Sequence, residues 1–114
     1  AVSAKRWAVE TGGITLPGGA VVGTTTDDQN RITSVIANAQ LAGVVSVDFK
    51  AQSGWVTLSL DHMRGIAGAI ALHVQACFSA ERAHHDAIAA ASDAELYDYD
   101  INAGWPNTST TGAP

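Results

Sequence analysis

The spacing of apolar residues predicts short strands in the first half of the chain. Residues 5–10 alternate, with Trp7 and Val9 on one side, which predicts a half-buried strand. Short apolar runs then flank the Pro-Gly-Gly sequence at 17–19, and that turn chemistry predicts a hairpin. A second predicted hairpin has two alternating runs, namely Val45, Val47 and Phe49 in one strand and Val56, Leu58 and Leu60 in the other.

The 3.6-residue period of helices appears in two places. One predicted helix ends near Gly43 and has a capping box of Thr26 and Gln29. Its apolar face consists of Ile32, Val35, Ile36 and Ala39. A second helical pattern runs from Asp61 to about Ala91, after which Ser92 and Glu95 predict a capping box for a short final helix.

These elements predict an α+β domain over residues 1–106, with short antiparallel hairpins, one medium helix, one long C-terminal helix and a short final helix. The polar residues 107–114 are expected to form a flexible tail. The long helix is the most informative element, because about 31 residues extend roughly 46 Å. A compact domain of this size has a radius of gyration near 13 Å. The helix is therefore expected to overhang its own domain or to be covered by another chain.

Two stripes follow the long helix. A bulky stripe, suited to packing on the strands, comprises Met63, Ile66, Ile70, Val74, Cys77 and Phe78. A second stripe, called the alanine seam here, comprises Ala69, His73, Ala76, Ala80, Ala83, Ala87 and Ala90. Small residues in this rhythm let helices approach closely, so we expect the seam to be a homo-oligomer interface. Two alternatives stay open: alanine is the best helix former, or the shorter helix of the same chain covers the seam.

Charge and composition exclude several classes of function. Six basic and eleven acidic residues give a net charge of −5, which argues against nucleic acid as a partner. The single cysteine, Cys77, rules out an internal disulfide, and nothing near residue 1 is typical of a secretory signal. No apolar run approaches the ~20 residues that cross a bilayer, so membrane insertion is not expected. These features favour synthesis in a cytoplasm.

The stretch DYDINAGWP at 98–106 begins with the spacing of a calcium loop. However, its sixth position is Ala103 rather than glycine, and its twelfth is Ser109 rather than glutamate. We therefore interpret Asp98 and Asp100 as solvated residues that follow a helix. The sequence Trp105-Pro106 is expected to anchor the end of the domain, with the tryptophan ring buried.

A polar ridge on the long helix is the other candidate metal site. It consists of His73, Cys77, Glu81 and His85. One helix usually offers only two ligands to a zinc ion, and no second cluster completes the set, so we expect neither metal nor other cofactor. An ion on an oligomer axis through His73 stays open. Because no nucleophile elbow, activated Cys–His spacing or P-loop is present, we expect no enzymatic activity.

Three stretches together resemble a family of uncharacterised domains in bacteriophage tail-fibre and fibre-assembly proteins. They are KRWAVETGGITLPGG with TTTDDQNRITSVIANA, the segment GWVTLSLDHMRGIAGAIALHVQACFSAERAHHDAIAAAS, and AELYDYDINAGWP. This chain departs from the family at Asp28-Gln29, where an acidic–basic pair is common.

The resemblance implies a structural component of a phage tail, at the baseplate or fibre attachment, made in the host cytoplasm and located in the virion. Its partners would be other tail proteins and copies of itself, with trimers favoured. The alternative is a cytoplasmic assembly chaperone for a tail fibre that is absent from the finished particle. No catalytic residues carry over.

Overall fold

The computed structural model describes residues 1–107 as four helices and two antiparallel hairpins. In chain order the elements are α1 (Val2–Glu10), β1 (Ile14–Thr15), β2 (Val21–Val22), α2 (Thr26–Ala42), β3 (Ser46–Ala51), β4 (Gly54–Ser59), α3 (Leu60–Ala90) and α4 (Asp93–Tyr97). The α+β class, both hairpins and the long helix are confirmed. Of the predicted tail, residues 108–114 lie outside the described part.

The first element is a helix, so the strand predicted over residues 5–10 is wrong. Over six residues, two large apolar positions are too few to distinguish a strand from a helix. The deciding factor is packing: Val2, Arg6 and Val9 fall on the side of α1 that faces α3, at the i, i+4, i+7 spacing. The ring of Trp7 is more than half exposed. Thus tertiary contacts override a short local pattern.

The first hairpin forms as predicted. Ile14 pairs with Val22 and Thr15 with Val21, while Gly19 in the turn adopts a positive φ of 89°. The fully buried Thr24 follows this hairpin. Its hydroxyl accepts a hydrogen bond from the Gly13 N–H at 2.9 Å and donates to the carbonyl of Glu10, which fixes the end of α1 against the hairpin.

The N-cap of helix α2 lies one position before the predicted cap. Thr25 is the N-cap: its hydroxyl accepts from the Asp28 N–H at 3.1 Å, and the Asp28 carboxylate accepts from the Thr25 N–H at 3.2 Å. The predicted pair of Thr26 and Gln29 is therefore wrong by one residue. Gln29 instead donates to the carbonyl of Thr24 at 2.9 Å. The predicted end is confirmed, since Gly43 adopts a left-handed conformation with φ 71°.

The second hairpin has one face toward the core and one toward solvent. Its half-buried face consists of Val47, Phe49, Val56 and Leu58, as predicted. The predicted ends differ: Val45 precedes β3 and is 79% exposed, while Leu60 is the first residue of α3. Leu60 donates its N–H to the Val45 carbonyl at 2.9 Å, which closes the hairpin onto the helix.

The core lies around the first half of α3, and α1, α2 and β4 all contact this helix. Its buried cluster is Ile14, Val22, Ile32, Met63, Ile66 and Ile70. Phe78, predicted to pack with the bulky stripe, is 45% exposed. The molecule measures 59 × 25 × 20 Å with a radius of gyration of 17.1 Å, larger than the ~13 Å of a compact domain. The long axis agrees with a helix that extends past the core.

Candidate interface along the long helix

The polar ridge of α3 is the surface on which α1 packs. His73 is buried, and its Nε2 donates to the carbonyl of Val9 at 2.9 Å. One turn later, the thiol of Cys77 is fully buried, with its Sγ 3.9 Å from the same ring nitrogen. Burial is the main cause that raises the pKa of the Cys77 thiol. A buried neutral thiol is poorly suited to nucleophilic chemistry.

Arg6 connects the two helices through carboxylates on both of them. Its Nε donates to Glu81 at 2.8 Å, and its Nη1 donates to Glu10 at 2.6 Å. The guanidinium also lies 4.6 Å from the centroid of the Phe78 ring. The hydrogen bond from Arg6 is the main cause that holds the pKa of Glu81 below its usual range. This arrangement fixes the position of α1 along α3.

The remaining ridge contacts also converge on one carboxylate. Ser3 donates to Glu81 at 3.2 Å, and the Nε2 of His85 lies 3.2 Å from the same Glu81 oxygen. The ridge therefore satisfies its polar groups within the chain. Among residues 1–107, no group of three or more His, Cys, Asp or Glu side chains could hold a metal ion.

Residues 98–106, called the C-terminal strap here, fold back onto α3 at His84. The buried ring of His84 donates from Nε2 to the Ala103 carbonyl at 2.8 Å, and its Nδ1 lies 2.6 Å from the Tyr99 hydroxyl. A neutral ring protonated at Nε2 satisfies both bonds, with the Tyr99 hydroxyl as donor to Nδ1. The ring of Trp105 stacks on His84, with centroids 5.2 Å apart and planes at 22°.

The anchor predicted at Trp105 therefore packs on His84, outside the core cluster. Its ring is half-buried rather than fully buried, as is Pro106. The Trp105 Nε1 donates to the Ile101 carbonyl at 2.7 Å, which closes a compact turn. Within that turn Asp100 accepts from the Asn102 N–H at 2.8 Å, so this carboxylate of the calcium-like spacing serves the local backbone.

The role of His84 was not predicted from the sequence. A signal was available, because residue 84 lies seven positions after Cys77 and eleven after His73, on one face of an α-helix. That face is buried along its length. Only the tertiary structure shows that the C-terminal strap is the segment that covers this face at His84.

The structure divides the alanine seam into two parts. His73 is buried under α1, and Ala69, Ala76 and Ala80 are half-buried. The last three seam residues, called the exposed seam here, are Ala83, Ala87 and Ala90, and all three are exposed. At His73 the seam is covered by α1, which the sequence predicted as a strand, and not by the shorter predicted helix. The role of the seam between subunits stays a prediction.

Other side chains define the surroundings of the exposed seam. Arg82 and Asp86 form a loose exposed pair at 3.9 Å, as expected for a surface i,i+4 pair. Directly after α3, helix α4 starts with a capping box of Ser92 and Glu95, as predicted, and exposes Tyr97. In the described part of the chain, no helix is both long and apolar enough to cross a membrane.

Comparison with known proteins gives a family and no activity. The model of a domain of unknown function, DUF4376, matches residues 1–103. Because this match covers most of the chain, the chain belongs to the DUF4376 family. No curated protein and no solved structure matches it.

Proposed function

We propose that this member of the DUF4376 family is a structural component of a bacteriophage tail, at the baseplate or fibre attachment. In this proposal the protein is non-enzymatic and forms homo-oligomers, with a trimer favoured, through the exposed seam. The resemblance of three stretches to domains of tail proteins supports the phage assignment. The observation that carries the assembly is the exposure of Ala83, Ala87 and Ala90 on one side of a helix that extends past the core.

The chemistry of the exposed seam suits contact between helices. Methyl side chains let helix axes approach closely, and the seam positions are spaced by four and three residues, as in coiled coils. Arg82 and Asp86 flank the seam and are mostly exposed, so they are free to pair across subunits. In proteins, most helical stability comes from packing of one face rather than from propensity. A second copy would supply that packing.

A different observation favours the second candidate, an assembly chaperone for a tail fibre. Leu41, Val44 and Val45 lie at and after the end of α2, and all three are exposed. Adjacent exposed apolar side chains are typical of surfaces that contact another protein. A chaperone would use such a surface for a client and would leave the finished particle.

The proposed assembly is tested by Ala83→Glu, with Ala89→Glu as the matched control. Both alanines are exposed on α3, but they lie about 120° apart around the helix. Glutamate is a good helix former, so both variants should retain helicity. In an interface, however, it adds volume and a buried unpaired charge.

Light scattering at tens of micromolar should show an oligomer for the wild type and Ala89→Glu, and a smaller species for Ala83→Glu. A monomeric wild type would contradict self-assembly, and an Ala83→Glu oligomer of unchanged mass would place the interface elsewhere. Mass spectrometry of purified phage particles separates the two candidates. A stoichiometric amount supports the structural role, whereas absence supports the chaperone.

A further inference from the structure

The outer face of the β3–β4 hairpin carries one aromatic side chain among polar ones. Trp55 is 72% exposed and lies directly across from Lys50, whose ammonium is 5.9 Å from the ring centroid. Two residues along the strands, Asp48 lies across from Thr57, and the Thr57 hydroxyl donates to Asp48 at 2.8 Å. The pairing fixes all four side chains on the same face.

A shallow depression of about 300 Å³ lies beside this face, lined by Asp48, Trp55, Val56 and Thr57. This volume is at the lower end of the ~300–1,000 Å³ of small-molecule sites. The core is built by the opposite face of the hairpin, through Val47, Phe49 and Leu58. A mostly exposed Trp55 adds little to that core, so the stability of the domain does not explain a large aromatic residue at this position.

We propose that this face binds a neutral saccharide. A sugar ring has one face of C–H groups, which can pack on the ring of Trp55, and a rim of hydroxyls. The Asp48 carboxylate accepts hydrogen bonds, Lys50 donates them, and Thr57 does both. Residues two apart on a strand are separated by ~6.8 Å, so the polar pair reaches the edge of a ring that stacks on the tryptophan.

The chemistry of the face argues against the other classes of ligand. A phosphate group would meet the Asp48 carboxylate beside a single lysine, in a chain with a net charge of −5. Anchors of protein interfaces are typically aromatic residues packed in apolar surroundings. Here the neighbours of Trp55 on the outer face are charged or hydroxylated.

The experiment is a titration of the ¹⁵N-labelled protein with cellobiose, maltose, lactose and chitobiose, followed by ¹H–¹⁵N correlation spectra. The chain contains three tryptophans, so each indole N–H provides a separate probe once assigned by substitution. At least one disaccharide should shift the Trp55 indole and the Asp48 and Thr57 amides saturably in the millimolar range. The indoles of Trp7 and Trp105 should stay unchanged.

Three variants complete the test. Trp55→Ala should weaken binding at least tenfold, whereas Trp7→Ala, which removes another exposed tryptophan, should leave it unchanged. Thr57→Val should weaken binding severalfold with the fold retained. The proposal is overturned if no disaccharide shifts the Trp55 signal, or if the two tryptophan variants behave alike. The result is independent of the assembly test, since Ala83 lies about 35 Å along α3 from the hairpin.

Discussion

Replacing His84 with alanine should release the C-terminal strap from α3 and leave the core folded. His84 is the buried residue through which the strap is held: its ring bonds to Tyr99 and Ala103 and stacks on Trp105. The core cluster lies around the first half of α3 and does not include this residue. We therefore expect a local change in the strap together with a measurable loss of overall stability.

The size of the loss follows from the contacts removed. Two hydrogen bonds contribute about 0.5–1.5 kcal/mol each, and a stacked ring pair about 0.5–1.5 kcal/mol. The Ala103 carbonyl and the Tyr99 hydroxyl can bond to water once the strap moves. The total loss should therefore lie in the lower part of the range that these contributions span. We expect a loss of about 2–3 kcal/mol, a large share of the ~5–15 kcal/mol of a typical domain.

Urea denaturation measures this loss, with His62→Ala as the matched control, because His62 is exposed on the same helix. The control should change the free energy of unfolding by less than about 0.5 kcal/mol. His84→Phe keeps a ring for stacking on Trp105 and should show an intermediate loss. Amide hydrogen exchange should speed up within residues 98–106 and stay slow in the core helices. Equal stability of His84→Ala and His62→Ala would refute the role of His84.

Two further predictions concern the ion pair between α1 and α3 and the start of α2. Because Arg6 holds the pKa of Glu81 below its usual range, the stabilisation is present above the ordinary glutamate pKa and lost as the pH falls through the lowered one. The difference in unfolding free energy between wild type and Glu81→Gln should therefore be present at neutral pH and vanish in acid. The exposed control Asp86→Asn should differ little from wild type at either pH. Gly23→Ala would place its Cβ 2.3 Å from a carboxylate oxygen of the α2 capping box, so it should cost about 1–3 kcal/mol in thermal or urea unfolding, whereas Gly18→Ala, with open space around it, should cost little. A Glu81→Gln difference that persists in acid would contradict the prediction about the ion pair. Similar losses of stability for the two glycine variants would contradict the prediction about Gly23.

The sequence predicted best those elements that carry several independent signals. Helix α3 shows its period over many turns, and α2 has both an apolar face and a terminal glycine at Gly43. By contrast, α1 offers only nine residues, and the alternation of Trp7 with Val9 points to a strand although the segment is helical. Its helical state depends on Arg6 and on packing against α3, which are distant in sequence. Local patterns carry no information about such contacts.

The same difference explains the predictions about sites. The polar ridge and the alanine seam were recognised from helical spacing, but the spacing could not show which element covers them. His73 is covered by Val9 of α1 and His84 by the strap, and both contacts join residues distant in sequence. The Trp105 anchor was recognised from composition, yet its partner His84 was not. The sequence predicts which residues share a face of a helix. Which other element packs on that face depends on the whole fold.

The coverage of α3 also limits the proposed assembly. Helix α1 has nine residues, so it spans only about 13 Å, and the Arg6 network fixes it near Glu81. The strap covers the His84 side beyond that point. What stays exposed of the seam is Ala83–Ala90, about 12 Å of helix. Such a short seam buries little area in each pair, whereas stable interfaces bury about 1,200–2,000 Å². Subunits joined only there should dissociate on dilution, so a lasting assembly would need further contacts that hold the copies together.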